Sequence, residues 1–361
     1  QGDWSSDVCS SDLERPEHET PVKASLLAGA PGGSGTLVVS ALYGLGGIGK
    51  SVLATRLAHD PAVQGHFADG ILWVTLGQTP DLLPLLNGWI VALGDRDYRP
   101  TTEAAASSHL RTLLYDKTML LVVDDVWQVE HLDWFRVGGQ HCRVLVTTRE
   151  ARIPDARIYE LDPMTPDQAL TLITQTLARP LGDVEKLQAL SLAERLGFLP
   201  LALDLAVAQV RDGVSWDELL RDFQTELARL ESLDLYSQEE LPEDSKRRRH
   251  SILACFNLSL RLLSTEQLGQ FAWLGIVPED SQITPPVAAL LWQVTPRQAA
   301  AILRTLRAKA LLLTGVSQPG QPPTYRLHDL MHDRAQQLLT SPTQVTDRKS
   351  TRLNSSHLVI S

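Results

Sequence analysis

The sequence predicts an α/β domain, a parallel sheet with helices on both faces, followed by a small helical bundle and a domain of winged-helix type. Three observations carry this. Between Thr36 and Leu161, short runs rich in β-branched residues alternate with helical stretches, the pattern of a sheet buried on both faces. From Thr165 to Leu230 the strands give way to helix-start signals. Beyond a polar stretch, apolar helices are followed by a run that reads as a β-hairpin.

Taken in order, the strand runs are TLVVSALY, ILWVTL, MLLVVDD, RVLVTT and RIYEL. Thr165 to Gln168 and Ser215 to Glu218 each read as a capping box, with Leu170, Ile173 and Leu177 on one face of the helix after the first. Further boxes stand at Ser264 to Gln267 and Thr295 to Gln298. The second of these opens a helix expected from Gln298 to Ala310, and LLLTGVS, a Pro319-Gly320 turn and TYRLH then form the hairpin. The expected boundaries are residues 14–163 for the α/β domain, 164–235 for the bundle, 236–249 for a polar linker and 250–340 for the winged helix. Residues 1–13 and the last fifteen or so, DRKSTRLNSSHLVIS, are serine-rich, lack apolar periodicity and resemble translated adaptor sequence, so 341–361 is expected to be a disordered or artefactual tail and the natural chain to continue past both ends.

Composition narrows the function classes. The 361 residues carry a net charge of -10, which gives no general attraction to a phosphate backbone, so nucleic acid is not expected as a partner. No apolar run approaches the roughly 20 residues of a membrane span. Cys9, Cys142 and Cys255 are too few and too scattered for a disulfide framework or a structural zinc site, so a reducing cytoplasm is expected.

The chemistry starts at GLGGIGKS. Gly44, Gly49, Lys50 and Ser51 satisfy G-x-x-x-x-G-K-[ST] between a strand and a helix, the context a phosphate-binding P-loop requires. Gly46, Gly47, Ile48 and Val52 complete the loop and the first helical turn. Glycines let the amide N–H groups turn inward around phosphates, and the helix N-terminus adds its dipole. Lys50 supplies a point charge to the terminal phosphates and Ser51 a hydroxyl to magnesium. The same glycines also spell G-x-G-x-x-G, but the dinucleotide reading needs an acid ending the second strand, and Asp69 precedes ILWVTL instead.

MLLVVDDVW ends a strand in two carboxylates, at the sheet edge where open α/β sheets bind ligands. Asp124 is the expected magnesium ligand, and Asp125 the group that orients or deprotonates an attacking water. RVLVTTR delivers Arg149 to the same edge, where its planar donor fork suits a γ-phosphate.

GLGGIGKS, LLVVDDVW, VLVTTR, GFLPLAL and LHDLMHD, in this order, resemble the NB-ARC family of STAND-type P-loop ATPases. The resemblance covers most of the chain and implies further assignments. Pro200 of GFLPLAL would pack on adenine, making the ligand ATP or ADP. His328 of Leu327-His328-Asp329 would touch the β-phosphate of ADP, with Met331-His332-Asp333 a decoy one turn on. Relatives carry an arginine upstream of the P-loop; only Glu14-Arg15-Pro16 is similar here, and Arg15 is not assigned. The implied mechanism is a switch with slow, single-turnover hydrolysis, self-association of the open form, and effector and repeat-sensor domains outside this segment. An alternative is a transcriptional regulator whose winged helix binds DNA. Lys246 to His250 is the one strong basic run, flanked by acids and expected in the solvated linker.

Overall fold

The computed structural model describes residues 13–28, 38–44, 46–149, 152–234, 243–278, 281–314 and 323–340. The serine-rich flanks other than Leu13, the start of the first strand run and the Pro319-Gly320 turn lie outside these residues. Leu13, expected in the flank, is buried, as its apolar side chain favours.

The described chain divides into two compact units. The first comprises the described residues up to Leu172 together with Gly197–Leu201. Its elements are α1 (Pro16–Leu27), β1 (Val38–Tyr43), α2 (Lys50–His59), α3 (Pro61–His66), β2 (Gly70–Gly77), α4 (Leu82–Ala92), α5 (Glu103–Leu114), β3 (Met119–Val126), α6 (Val129–Asp133), β4 (Arg143–Thr148) and β5 (Ala156–Glu160). The five strands form one parallel sheet in the order β2-β3-β4-β1-β5.

The alternation of side chains along each strand splits the sheet into two cores. Val39, Ala41, Leu121, Val123, Val144 and Val146 face α4 and α5, where Leu86, Trp89, Ile90 and Leu110 cover them. The helices α1 and α2 cover the opposite face, with Val22, Leu26, Leu53 and Leu57 buried. All six residues of β4 are buried, and of β3 only Asp125 is not, so both read as continuous apolar runs. β5 pairs on one side only and leaves Arg157, Ile158 and Glu160 exposed.

Because every strand points the same way, β1, β3 and β4 deliver their C-terminal residues to one edge. The strand carrying Asp124 does not neighbour the P-loop strand, since β4 lies between them. Asp69 stands at the opposite edge, ion-paired to Lys117 at 3.0 Å and accepting from the Thr118 amide at 2.8 Å.

Two helices run across the division, α7 (Pro166–Leu177) and α9 (Pro200–Arg211). Thr165 and Gln168 exchange hydrogen bonds at the start of α7 and make the capping box that the sequence predicts. Its buried residues are Ala169, Leu172 and Ile173, with Leu170 and Leu177 half-buried, so the apolar face is rotated from the one expected.

The second unit comprises Ile173–Leu196 and the described residues from Ala202 onward. Besides parts of α7 and α9 it holds α8 (Asp183–Arg195), α10 (Trp216–Asp234), α11 (Glu243–Arg261), α12 (Thr265–Trp273), α13 (Pro285–Trp292), α14 (Pro296–Ala308), β6 (Leu313–Thr314), β7 (Tyr325–Arg326) and α15 (Asp329–Thr340). Ser264-Gln267 and Thr295-Gln298 cap α12 and α14 reciprocally. β6 and β7 pair antiparallel as the sequence predicts. α10 packs on α11, where the buried carboxylate of Glu226 accepts from Arg229, Asn257 and Arg261.

The polar linker needs correction. Residues 243–249 are helical, so the basic run Lys246 to His250 rides on the first turns of α11. Lysine and arginine are good helix formers, and the continuous apolar face further along the helix extends the helix back through them.

Candidate functional site

The first unit gathers most of the residues expected at a site. β1 ends at Tyr43, the loop from Gly44 turns back, and α2 begins at Lys50. Gly49 caps that helix with φ 103° and Gly47 has φ 77°, both in the left-handed region that side chains other than glycine rarely adopt. Ile48 is buried, anchoring the loop, and Val52 is half-buried in the first turn.

Lys50 lies almost wholly inside the protein, 7% exposed, and its Nζ donates to Gly44 O at 2.8 Å. Burial, with the nearby Arg149 charge, pulls its ammonium down to about 8, against the attraction of Asp125 and Asp124. A lysine held this way is a strong donor to an anion entering the loop, because its charge is incompletely compensated by solvent.

Ser51 Oγ donates to Asp124 Oδ1 at 2.7 Å, and Thr147 Oγ1 donates to the same oxygen at 2.6 Å. Thr147 Oγ1 also accepts from the Asp125 amide at 2.8 Å, so one hydroxyl of β4 orders both aspartates. The pairing of β3 with β4 slips between Val123 and Val126, and Asp125 takes φ 52°. Such a conformation costs about 1–3 kcal/mol outside glycine and is tolerated best by Asp and Asn. Its consequence is geometric, because in a regular strand neighbouring side chains point to opposite faces. Here Asp125 instead interacts with Arg149, Asp124 and Lys50. Burial pushes its carboxyl above the usual carboxylate range, although the Trp127 indole N–H, donating to Oδ2 at 2.8 Å, and the Arg149 charge pull it back.

Arg149 stacks its guanidinium over the Trp127 ring, with Cζ 4.2 Å from the ring centre. The same guanidinium lies against Gly46. A methyl built on that glycine would sit 3.2 Å from Arg149 Cζ, so a side chain at 46 would press on the guanidinium and shift it.

The Gly197–Leu201 turn belongs to this unit as well. Gly197 and Phe198 have φ 65° and 52°, the Phe198 carbonyl accepts from the Met164 amide at 3.1 Å, and the Leu201 amide donates to Gly47 O at 3.4 Å. Pro200 begins α9 beside that contact. The turn therefore rests on the P-loop backbone.

Sequence reasoning passed over three residues here. Thr147 and Trp127 sit inside motifs already singled out, and the signal for Thr147 was a hydroxyl in an otherwise apolar, buried strand. Arg15, left unassigned, is 8% exposed and donates to Ile48 O at 3.3 Å, Asp162 O at 2.5 Å and Pro163 O at 3.4 Å. It ties the P-loop to the chain leaving β5. His328 follows β7 in the second unit, and there the His332 Nε2 lies 2.8 Å from the Val277 carbonyl in a half-buried hydrogen bond.

The donor chemistry fits magnesium. Ser51 and Asp124 offer two hard oxygens in contact, and among the described residues no cluster of three or more His, Cys, Asp or Glu side chains could hold a metal unaided. Magnesium is usually bound this way, through one or two protein oxygens completed by phosphates and water. Among the described residues no helix is long and apolar enough to cross a membrane.

Residues 21–179 match the model of the NB-ARC domain. The chain is 29% identical over 320 residues to Regulatory protein AfsR of Streptomyces griseus, an alignment covering 85% of this chain and 30% of that protein. It is 26% identical over 329 residues to human Apoptotic protease-activating factor 1, covering 86% of this chain and 24% of that protein. A probable disease resistance protein of Arabidopsis thaliana is 28% identical over 293 residues, covering 77% of this chain and 33% of that protein. The chain thus spans a third or less of these relatives. In fold it is similar to a STAND protein with a tetratricopeptide repeat sensor from Pyrococcus horikoshii, with a TM-score of 0.57, 15% identity, and coverage of 98% of this chain and 47% of that one. A P-loop, paired aspartates and a strand-borne arginine at one edge of a parallel sheet thus lie within residues 21–179, which match the NB-ARC domain, and proteins of bacteria, animals and plants are similar to the chain.

Proposed function

We propose that this chain is an adenine-nucleotide switch that binds ATP or ADP with magnesium and converts exchange or slow hydrolysis into domain opening. The observation that carries the reading is the Gly197–Leu201 turn seated on the P-loop through the Leu201 amide and Gly47 O. It puts Pro200 beside the loop that would hold the phosphates, so one ligand can bridge the sheet and the helix α9.

Within this reading each residue has a task. The amides of Gly46 to Ser51 and the N-terminus of α2 cradle the phosphates, and Lys50 donates to the terminal ones. Ser51 and Asp124 would hold magnesium, which supplies charge neutralisation across the phosphates. Asp125 orients a water for attack, and Arg149 approaches the γ-phosphate from above Gly46. The second unit supplies a helical bundle and a winged helix, from which His328 reaches the β-phosphate of ADP and favours the closed form. The open form self-associates, effector and sensor domains lie outside this segment, and the setting is the cytoplasm.

The direct test is the nucleotide that co-purifies, released by denaturation and identified by ion-exchange chromatography. ADP or ATP supports the switch, and a guanine nucleotide overturns the adenine assignment. The two histidines separate by substitution. His328→Ala is expected to weaken ADP binding about tenfold, whereas His332→Ala, which removes the partner of the Val277 carbonyl, should cost about 1 kcal/mol of stability and leave affinity unchanged. Calorimetric titration and thermal melting check both; the opposite assignment of effects would transfer the contact to His332.

A second reading, DNA binding by a regulator, draws on one observation: the basic run lies on α11 with Arg247 and Arg249 exposed. Duplex binding whose affinity falls steeply with salt would establish it. Salt-independent or absent binding would remove it.

A further inference from the structure

Two aspartates, an arginine and a lysine at one sheet edge raise the question of what keeps the reactive groups from collapsing on one another. Lys50 is already engaged with Gly44 O, and Asp124 is held by Ser51 and Thr147. Asp125 and Arg149 carry opposite charges and interact, and both meet the same third side chain. Trp127 donates its indole N–H to Asp125 Oδ2 at 2.8 Å and presents its ring face to Arg149 at 4.2 Å.

We propose that Trp127 is a positioning residue for hydrolysis: its N–H aims the Asp125 carboxylate and its ring holds the Arg149 guanidinium over Gly46, so that one indole sets base and phosphate sensor together. This rests on the role proposed above for Asp125 as the group that activates water.

The chemistry of an indole suits the task. It is a donor only and cannot take a proton from Asp125, so it fixes the carboxylate without competing for the proton it must accept. Its π-face attracts a cation without the directional hydrogen bonds of a carboxylate, so the guanidinium can slide from ring to phosphate at little cost. The backbone contributes to the same end. Only Val126 separates the pair, and the slip in β3 with Asp125 at φ 52° is what brings Asp125 Oδ2 within reach of an indole that follows it in the chain. Loss of the indole N–H therefore leaves the Asp125 carboxylate unaimed, which slows the step that needs its orientation and leaves the P-loop's contacts to the phosphates in place.

The experiment is single-turnover ATP hydrolysis by the full chain, with nucleotide affinity and melting temperature measured alongside. Trp127→Phe keeps an aromatic face and removes the donor. It is expected to slow hydrolysis about tenfold, the scale of one hydrogen bond to a charged group, and to leave ATP affinity within about threefold. Trp127→His restores an N–H donor and is expected to recover part of the rate. Wild-type kinetics in Trp127→Phe would overturn the proposal, as would an equal loss in both variants, which marks a packing role only. Asp125→Asn separates the two layers. If it abolishes hydrolysis while Trp127→Phe does nothing, the base stands and the role of Trp127 falls; if it hydrolyses normally, the base assignment falls and takes the role of Trp127 with it.

Discussion

Replacing Lys50 by alanine is expected to raise the dissociation constant for ADP and ATP by about a hundredfold or more while the melting temperature stays within a few degrees of the parent. The binding loss follows from removing a buried, hydrogen-bonded charge that in the proposed switch would face phosphate, an interaction whose deletion costs about 2–5 kcal/mol, with each 1.4 kcal/mol a factor of ten. The small change in stability follows from the same burial. An ammonium this desolvated is held at a cost, so its removal relieves about as much as the lost Gly44 contact takes away. Calorimetric titration and thermal melting of one preparation test both halves; unchanged affinity would mean that the loop does not bind phosphate through Lys50.

The lowered proton affinity of Lys50 adds a pH signature. Its pKa falls from 10.5 to about 8 in the folded chain. Between those values the unfolded state binds the extra proton, so this group makes the nucleotide-free protein more stable as pH rises through the window, and its destabilising burial is fully present below about 8. Phosphates favour the charged form and pull the proton back. Nucleotide binding at pH 8.5 should therefore take up protons, seen as a dependence of the binding enthalpy on the ionisation enthalpy of the buffer, and Lys50→Arg should abolish the uptake.

Arg15→Ala is expected to destabilise the first unit by about 2–4 kcal/mol and to weaken nucleotide binding with it. Three carbonyls, those of Ile48, Asp162 and Pro163, accept from this one guanidinium, and truncation leaves one buried and two half-buried acceptors without their donor. Ile48 precedes the glycine that caps α2, so its release loosens the phosphate cradle itself. Arg15→Lys cannot serve three divergent carbonyls from a single ammonium and should recover only part of the loss. Chemical denaturation monitored by circular dichroism gives the stability term. Wild-type stability in Arg15→Ala would show that the three contacts contribute nothing net.

The parallel sheet and its site edge were legible because β3 and β4 are long apolar runs that only a doubly covered sheet accommodates, each ending in polar residues of telling chemistry. GLGGIGKS was legible for a related reason: left-handed backbone at Gly47 and Gly49 demands glycine, so the geometry is written into residue type. The basic run on α11 was misplaced because flanking acids and charge density describe a solvated linker and a solvated helix equally well.

Local sequence thus determined the α/β class, the P-loop motif and the placing of Lys50, Ser51, Asp124, Asp125 and Arg149 at one edge of the sheet. Periodicity and glycine placement are properties of neighbouring residues, and they suffice for that. The tertiary structure alone decided that Arg15 locks the loop, that Thr147 orders both aspartates, that the Gly197–Leu201 turn sits on Gly47, and that Trp127 links Asp125 to Arg149. Each of these depends on where β4 is inserted, on the slip in β3 or on the return of a distant segment, and such contacts are fixed by packing across the sheet, which residue spacing along the chain does not encode.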